Sequence, residues 1–253
     1  FEKEYGETLP PLQSGVGNVA NAVMAGLVES DYKNLRVWTE VIQDAMFDLI
    51  DAGKLNAVSG TSLSPSPEGL QRFYRNIMTY REKIVLRPQE ISNNPEIARR
   101  IGNIAMNTAL EVDIYGNANS THTFGSTMVN GIGGSGDFSR NSGLVVFLTP
   151  AAAKKGAISR VVPHVTHYDH TEHEIHIIVT DQGLADLRGL DPREKVPVII
   201  ENCAHPDYKD MLWDYFRRAQ KKVGGHIPML LDEAYSWHVR YNETGSMKPQ
   251  GAA

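Results

Sequence analysis

One cysteine, Cys203, in 253 residues leaves no partner for an internal disulfide, which excludes a disulfide-stapled scaffold and suits a reducing compartment. A surplus of positive charge is missing too. Against 25 Lys and Arg stand 30 Asp and Glu, a net charge of −5, so the footprint of a nucleic-acid or anionic-membrane binder is absent. The longest apolar stretch, Ser142 to Ala153, is broken by Thr149 and Pro150 and falls far short of the ~20 residues that span a bilayer. Low-complexity tracts and internal repeats are lacking, and Phe1-Glu-Lys-Glu-Tyr5 has neither an initiator Met nor the basic-then-apolar layout of a signal peptide. What remains is ordinary globular composition, 41 % hydrophobic and 22 % charged, with enough chain for one large or two small domains.

Along the chain, Gly15-Val-Gly17-Asn-Val-Ala20 reads as a glycine turn opening a helix, and Leu35 to Thr39 as a short strand. Amphipathic spacing predicts a helix from Val41 to Ala52. Further helices are expected over 68–80, 96–106 and 209–223, and strands over 84–86, 111–115, 142–148, 159–162 and 175–180. This alternation predicts a layered α/β fold in one domain over residues 1–243, followed by a Gly- and Ser-containing tail, 244–253, that frays.

Two glycine loops are candidates for chemistry. The first, Gly15 to Ala20, has the GxGxxA pattern of a dinucleotide site, and Glu40 sits where such a site places its ribose-binding acid. Two prolines and no apolar run precede Gly15, however, so a strand before the turn is not expected; the plain alternative is a turn that packs a helix. The second loop, Gly131-Ile-Gly-Gly-Ser-Gly136-Asp-Phe138, holds four glycines in six residues and brings backbone close to something, either a ligand or merely a flexible loop's surroundings.

His164, His167, His170, His173 and His176 recur every third residue, which tempts a zinc reading. In an extended segment that spacing alternates faces, so structural or substrate-contacting roles are expected and no metal. Cys203 lies two residues from His205, too close in the chain for nucleophile-to-base geometry, and is expected to be a small buried hydrophobe.

The segment Val37-Trp-Thr-Glu40-Val-Ile-Gln-Asp44 between these loops resembles the nucleophile strand of class I CoA-transferases, in the acetyl-CoA hydrolase/transferase branch that includes succinyl-CoA:acetate CoA-transferases. Leu86 to Asn93, Glu111 to Asn117, Gly131 to Phe138 and Val179 to Arg188 are similar to the same branch, so the resemblance covers nearly the whole chain. It implies a CoA-transferase-like layered domain with a central, mostly parallel sheet and flanking helices, and places this chain as the C-terminal half of a protein about twice its length. By that resemblance Glu40 is the nucleophile, the backbone N–H groups of Val16 and Gly134 are oxyanion donors, and Asn93 lies near the reacting carboxylate. Gln13, Ser14, Gly15, Leu110 and Asn130 correspond to residues around the CoA thioester, and Lys154 to a lysine that contacts CoA. Asp181 stands where many members carry the longer Glu.

The implied chemistry is transfer of CoA from a short acyl-CoA, acetyl-CoA or succinyl-CoA, to a carboxylic acid such as acetate, with hydrolysis where water competes. Acyl-CoA is then substrate and no tightly bound cofactor is expected. The partners implied are the N-terminal half and a second copy in a homodimer, with no nucleic acid and no membrane, in the cytoplasm or, in a eukaryote, the mitochondrion. A dinucleotide-binding oxidoreductase domain and a non-catalytic CoA-binding module stay open as alternatives.

Overall fold

In the computed structural model, which describes residues 2–249 apart from the Asn18 side chain, Leu12 stands in register between Val37 on one side and Ile104 on the other. Those three residues mark the middle of a parallel sheet. The chain divides into two compact units: one runs through Thr108 and takes in Gly133–Val145, the other holds Ala109–Ile132 and the chain from Val146 on. Neither unit is one continuous stretch, so no linker composition marks a boundary.

The first unit carries α1 (Glu2–Tyr5), β1 (Leu12–Ser14), α2 (Asn18–Glu29), β2 (Leu35–Trp38), β3 (Val41–Ile42), α3 (Asp44–Asp51), β4 (Leu55–Gly60), β5 (Ser62–Leu63), α4 (Pro67–Arg75), α5 (Ile77–Tyr80), β6 (Ile84–Leu86), α6 (Gln89–Ser92), α7 (Pro95–Ile101), β7 (Ile104–Thr108) and α8 (Ser135–Ser139). Five strands in the order β7-β1-β2-β4-β6 run parallel. Parallel strands need helical crossovers, and α2 and α3 pack on each other and on this sheet, burying Leu12, Leu55, Val58 and Ile104 completely. The Phe47, Phe73 and Tyr80 rings stack at centroid distances of 5.0 to 6.0 Å.

Several expectations change here. β1 was not foreseen: three residues between Pro11 and Gly15 show no periodicity, yet both neighbours in the sheet cover them. The helix expected over 96–106 stops at Ile101, because Gly102 takes a left-handed cap at φ 68°, and Ile104 onward continues as β7. The helix expected from Val41 begins only at Asp44, since Val41 and Ile42 pair with Ser62 and Leu63. The stretch expected as one helix over 68–80 is two, meeting at Asn76.

The second unit holds β8 (Glu111–Asp113), β9 (Ala118–Asn119), β10 (His122–Thr123), β11 (Thr127–Met128), β12 (Leu144–Leu148) from Val146 on, β13 (Ala152–Ala153), β14 (Ile158–Ser159), β15 (Val161–Val162), β16 (Ile177–Thr180), β17 (Gly183–Asp186), α9 (Pro192–Cys203), α10 (Pro206–Lys222) and α11 (Ser236–Thr244). The unbroken apolar run of β12 is buried at every residue and pairs in parallel with β16, whose other edge takes β17 antiparallel. Helix α9 covers β16 and β17, and α10 packs on α9. Sequence patterning missed α9 because Pro197 interrupts it; the Asp191–Glu194 capping box with Pro192 at the first helical position was the available signal. The tail differs from a frayed end: Met247 is buried, and its N–H donates to the Ala157 carbonyl at 2.8 Å. Residues 250–253 lie outside the described residues. The mostly parallel α/β architecture with flanking helices agrees with the expected fold class.

Candidate active site

Parallel strands deliver their carboxyl ends to one edge, and there the first unit gathers its polar loops. Glu40 lies two residues past β2, after Thr39. Its carbonyl accepts the Thr61 N–H at 2.7 Å and the Ser62 N–H at 3.3 Å, which anchors the backbone beneath the carboxylate. Gly60 makes that approach close, since a Cβ there would lie 3.2 Å from the Glu40 carbonyl oxygen and 2.8 Å from Ile42 Cγ1.

The carboxylate reaches the second glycine loop. Glu40 Oε2 accepts the Gly134 N–H at 2.7 Å. A Cβ on Gly134 would stand 2.4 Å from Glu40 Oε2 and 2.4 Å from Asn93 Nδ2, so both side chains converge on a backbone that only glycine leaves open. Asn93 is buried; its Nδ2 donates to Asp137 Oδ2 at 3.2 Å, while its Oδ1 is buried without a hydrogen-bond partner among the described residues. The Trp38 indole N–H donates to the Ser92 carbonyl at 2.7 Å, tying β2 to the turn that bears Asn93.

The first glycine turn stands beside this group. Gly15 N–H donates to the Met106 carbonyl at 2.8 Å, and a Cβ on Gly15 would meet Asn107 Oδ1 at 2.7 Å. Thr39 Oγ1 donates to the Ser14 carbonyl at 3.0 Å, joining the turn to the residue before Glu40. The side chains of Gln13 and Ser14 face inward: the Gln13 amide exchanges hydrogen bonds with that of Asn107, both 3.2 Å long, and Ser14 Oγ donates to the Gly15 carbonyl. Val16 is 63 % exposed. A strand, a glycine turn and a helix thus do follow in order, correcting the expectation that no strand precedes Gly15. The Glu40 carboxylate, however, is bound by Gly134, where a ribose-binding acid would be free.

Leu110, Asn130 and Lys154 belong to the second unit. Leu110 and Lys154 line one cavity of about 230 Å³ together with His122, Phe124, Arg160 and Tyr241. Asn130 is exposed and donates to the Ser120 carbonyl at 2.9 Å. Asp181 accepts the Ala151 N–H at 2.6 Å, a bond that holds its carboxyl below the usual range.

The histidines separate. His164 is buried between Tyr115 and Tyr215, and burial pushes it down to about 4. His167 faces Asp169, His170 faces Glu174, and exposed His173 faces Glu172. Among the described residues no group of three His, Cys, Asp or Glu is placed to hold a metal. Cys203 is fully buried and its thiol is pushed up to about 11 by burial, as suits a core residue.

Residues 69–216 match the family described as "Acetyl-CoA hydrolase/transferase C-terminal domain". The chain belongs to this family. It is 65 % identical over 247 residues to the succinyl-CoA:acetate CoA-transferase of Clostridium kluyveri, covering 98 % of this chain and 46 % of that protein. It is 52 % identical over 249 residues to an acetyl-CoA hydrolase of Neurospora crassa, with 95 % and 47 % covered. The chain therefore spans about half the length of the curated relatives it matches. Among solved structures, RipA from Yersinia pestis superposes with a TM-score of 0.71 at 29 % identity, covering 85 % of this chain and 50 % of that one. A 4-hydroxybutyrate CoA-transferase from Porphyromonas gingivalis gives 0.66 at 27 %, with 82 % and 51 % covered. Structural neighbours of this acetyl-CoA hydrolase/transferase domain thus share its α/β layout.

Of the residues expected at the site, Glu40, Gly134 and Asn93 come together in one unit beside the turn of Gln13 to Val16. Two residues that sequence reasoning did not single out join them: Asp137, which holds Asn93, and Gln43, whose Nε2 donates to the Gly15 carbonyl at 3.1 Å. Both lay inside the motifs quoted above, but nothing in a linear pattern says which polar side chain turns toward which loop.

Proposed function

We propose that the full-length protein is a CoA-transferase whose nucleophile lies in this chain, moving CoA between a short-chain acyl-CoA and a carboxylic acid such as acetate. The observation that carries the reading is the Glu40 carboxylate, 2.7 Å from the Gly134 N–H with the Asn93 amide alongside. Acetyl-CoA and succinyl-CoA are the donors, and acyl-CoA is substrate, with no resident cofactor. The family and its named relatives support this choice.

Carboxylates are ionised at neutral pH and attack thioester carbonyls. Attack by Glu40 on acyl-CoA forms an acyl-glutamyl anhydride and expels CoA thiolate. The thiolate then attacks the glutamyl carbonyl, giving a glutamyl-CoA thioester and releasing the first acid; a second acid attacks that thioester and the steps reverse. Each tetrahedral intermediate carries an oxyanion. The N–H groups of Val16 and Gly134 are its donors in this scheme, and one such donor contributes roughly 3–4 kcal/mol. Asn93 orients the carboxylate, and Gln13, Ser14, Gly15, Leu110, Asn130 and Lys154 contact CoA, Gln13 and Ser14 through backbone because their side chains turn inward. Residues 1–243 form the family's C-terminal domain, acting with the N-terminal half in a homodimer, in the cytoplasm or the mitochondrion. Where water replaces the acceptor acid the same intermediate is hydrolysed.

The test supplies acyl-CoA without acceptor to the full-length enzyme and then adds borohydride, which reduces thioesters and spares carboxylates. Trypsin releases Val37 to Lys54, whose sole glutamate is Glu40. A reduced Glu40 in that peptide is expected, together with loss of transfer to below about 1 % in Glu40→Gln while CoA binding persists. Active transfer without a modified peptide sinks the mechanism.

A further inference from the structure

The inference rests on the functional reading above. We propose that Gln43 is the positioning residue that aims and polarises the Val16 N–H, the donor assigned there to the thioester oxyanion. The peptide joining Gly15 to Val16 is trans, like every other peptide among the described residues. In a trans peptide the C=O and N–H lie antiparallel in one plane, so whatever grips the Gly15 carbonyl also sets the direction of the Val16 N–H.

Among the described residues two donors reach that carbonyl. Ser14 Oγ, at 3.2 Å, belongs to the neighbouring residue and moves with the turn. Gln43 Nε2, at 3.1 Å, comes from 28 residues away, at the junction of β3 and α3 and three residues past Glu40. Its Oε1 accepts from Asn21 Nδ2 at 3.2 Å and from the Gly17 N–H at 3.5 Å. One amide therefore holds the residues on both sides of Val16. Its orientation is unambiguous, because the Gly15 carbonyl accepts only and the Gly17 N–H donates only.

Gln43 is also unavailable for other work. It is 4 % exposed and occupies the N-cap position of α3 without its side chain capping that helix. The turn needs an external brace, since glycines flank Val16 and Gly17 holds φ 134°, a freedom that leaves the peptide plane soft. Val16 N–H makes no hydrogen bond among the described residues and points away from the braced carbonyl. Donation to the carbonyl also draws electron density through the amide and strengthens the opposite N–H as a donor. Gln43 thus couples the segment bearing the nucleophile to the loop bearing the oxyanion donor.

Gln43→Glu in the full-length enzyme is nearly isosteric and keeps the acceptor for Asn21 and Gly17, but when ionised it cannot donate to the Gly15 carbonyl. We expect kcat to fall about 10- to 100-fold with KM for acyl-CoA within about threefold, the pattern of a donor misaimed in the transition state. Activity relative to wild type should recover as pH falls and the new carboxyl regains a proton to donate. Gln43→Leu should lose as much kcat without that recovery. In enzyme labelled with 15N-valine, the Val16 amide resonance, assigned by its loss in Val16→Ile, should shift in Gln43→Glu and return with acid. An unmoved Val16 resonance overturns the proposal, as does a shift with kcat unchanged. If wild-type enzyme shows no CoA transfer, the functional reading fails on its own, and the Val16 resonance still decides whether Gln43 holds that amide.

Discussion

Glu40 Oε2 and the Gly134 N–H stand 2.7 Å apart although 94 residues separate them in the chain. A hydrogen bond to a charged group is worth about 1.5–3 kcal/mol net, enough to select one rotamer of an otherwise mobile glutamate. It turns one carboxylate oxygen toward the glycine loop. The same loop carries Asp137, which holds Asn93, so the Glu40 carboxylate and the neighbouring amide take their positions from one short segment.

Gly134→Ala tests how tightly that segment is built. Gly134 lies at φ −81°, which suits alanine, so backbone strain plays no part; the added Cβ would instead fall 2.4 Å from both Glu40 Oε2 and Asn93 Nδ2. On the proposed mechanism transfer should drop at least about 100-fold, because the Glu40 carboxylate is displaced from the Gly134 N–H, while the thermal midpoint changes by only a few degrees. Near-wild-type turnover would show that Glu40 does not work from this position.

His164 predicts a pH dependence of stability. Its folded pKa, about 4, lies below the free value of 6.5, so the unfolded chain binds more protons between these values. The contribution is complete above about pH 6.5 and is lost as pH falls toward 4, up to about 3 kcal/mol. In His164→Leu that loss disappears. Thermal melts at pH 7 and pH 4.5 should show the variant losing less than wild type on acidification. Parallel losses in both would mean that His164 titrates normally in the fold.

Cys203 should be inert in the native protein. Its thiol is buried and raised to about 11, so thiolate is scarce and reagents lack access. A colorimetric disulfide reagent should react with it only after denaturant is added, and blocking should be without effect on transfer under native conditions. Fast native labelling with matching loss of activity would contradict its placement in the core.

Chemistry-bearing residue types are legible in the sequence. Only glycine permits the close approach at 134, and a glutamate at the end of an apolar strand between two glycine loops is visible as a local pattern, as was the α/β alternation. Local signals failed where they were short or ambiguous. Leu12 to Ser14 is too brief to show a period, and Ile101 to Met106 suits helix and strand alike until Gly102 takes a left-handed turn.

The amino-acid sequence by itself determined which groups this protein has for chemistry, because side-chain identity and glycine's conformational freedom are properties of single positions. Tertiary structure alone decided which of them meet. The parallel order β7-β1-β2-β4-β6 brings the ends of β1 and β2 to one edge, places Gln43 on the turn at Gly15, and turns the Gln13 side chain inward to Asn107. Those pairings span 28 and 94 residues and depend on sheet order, which no short stretch of sequence encodes.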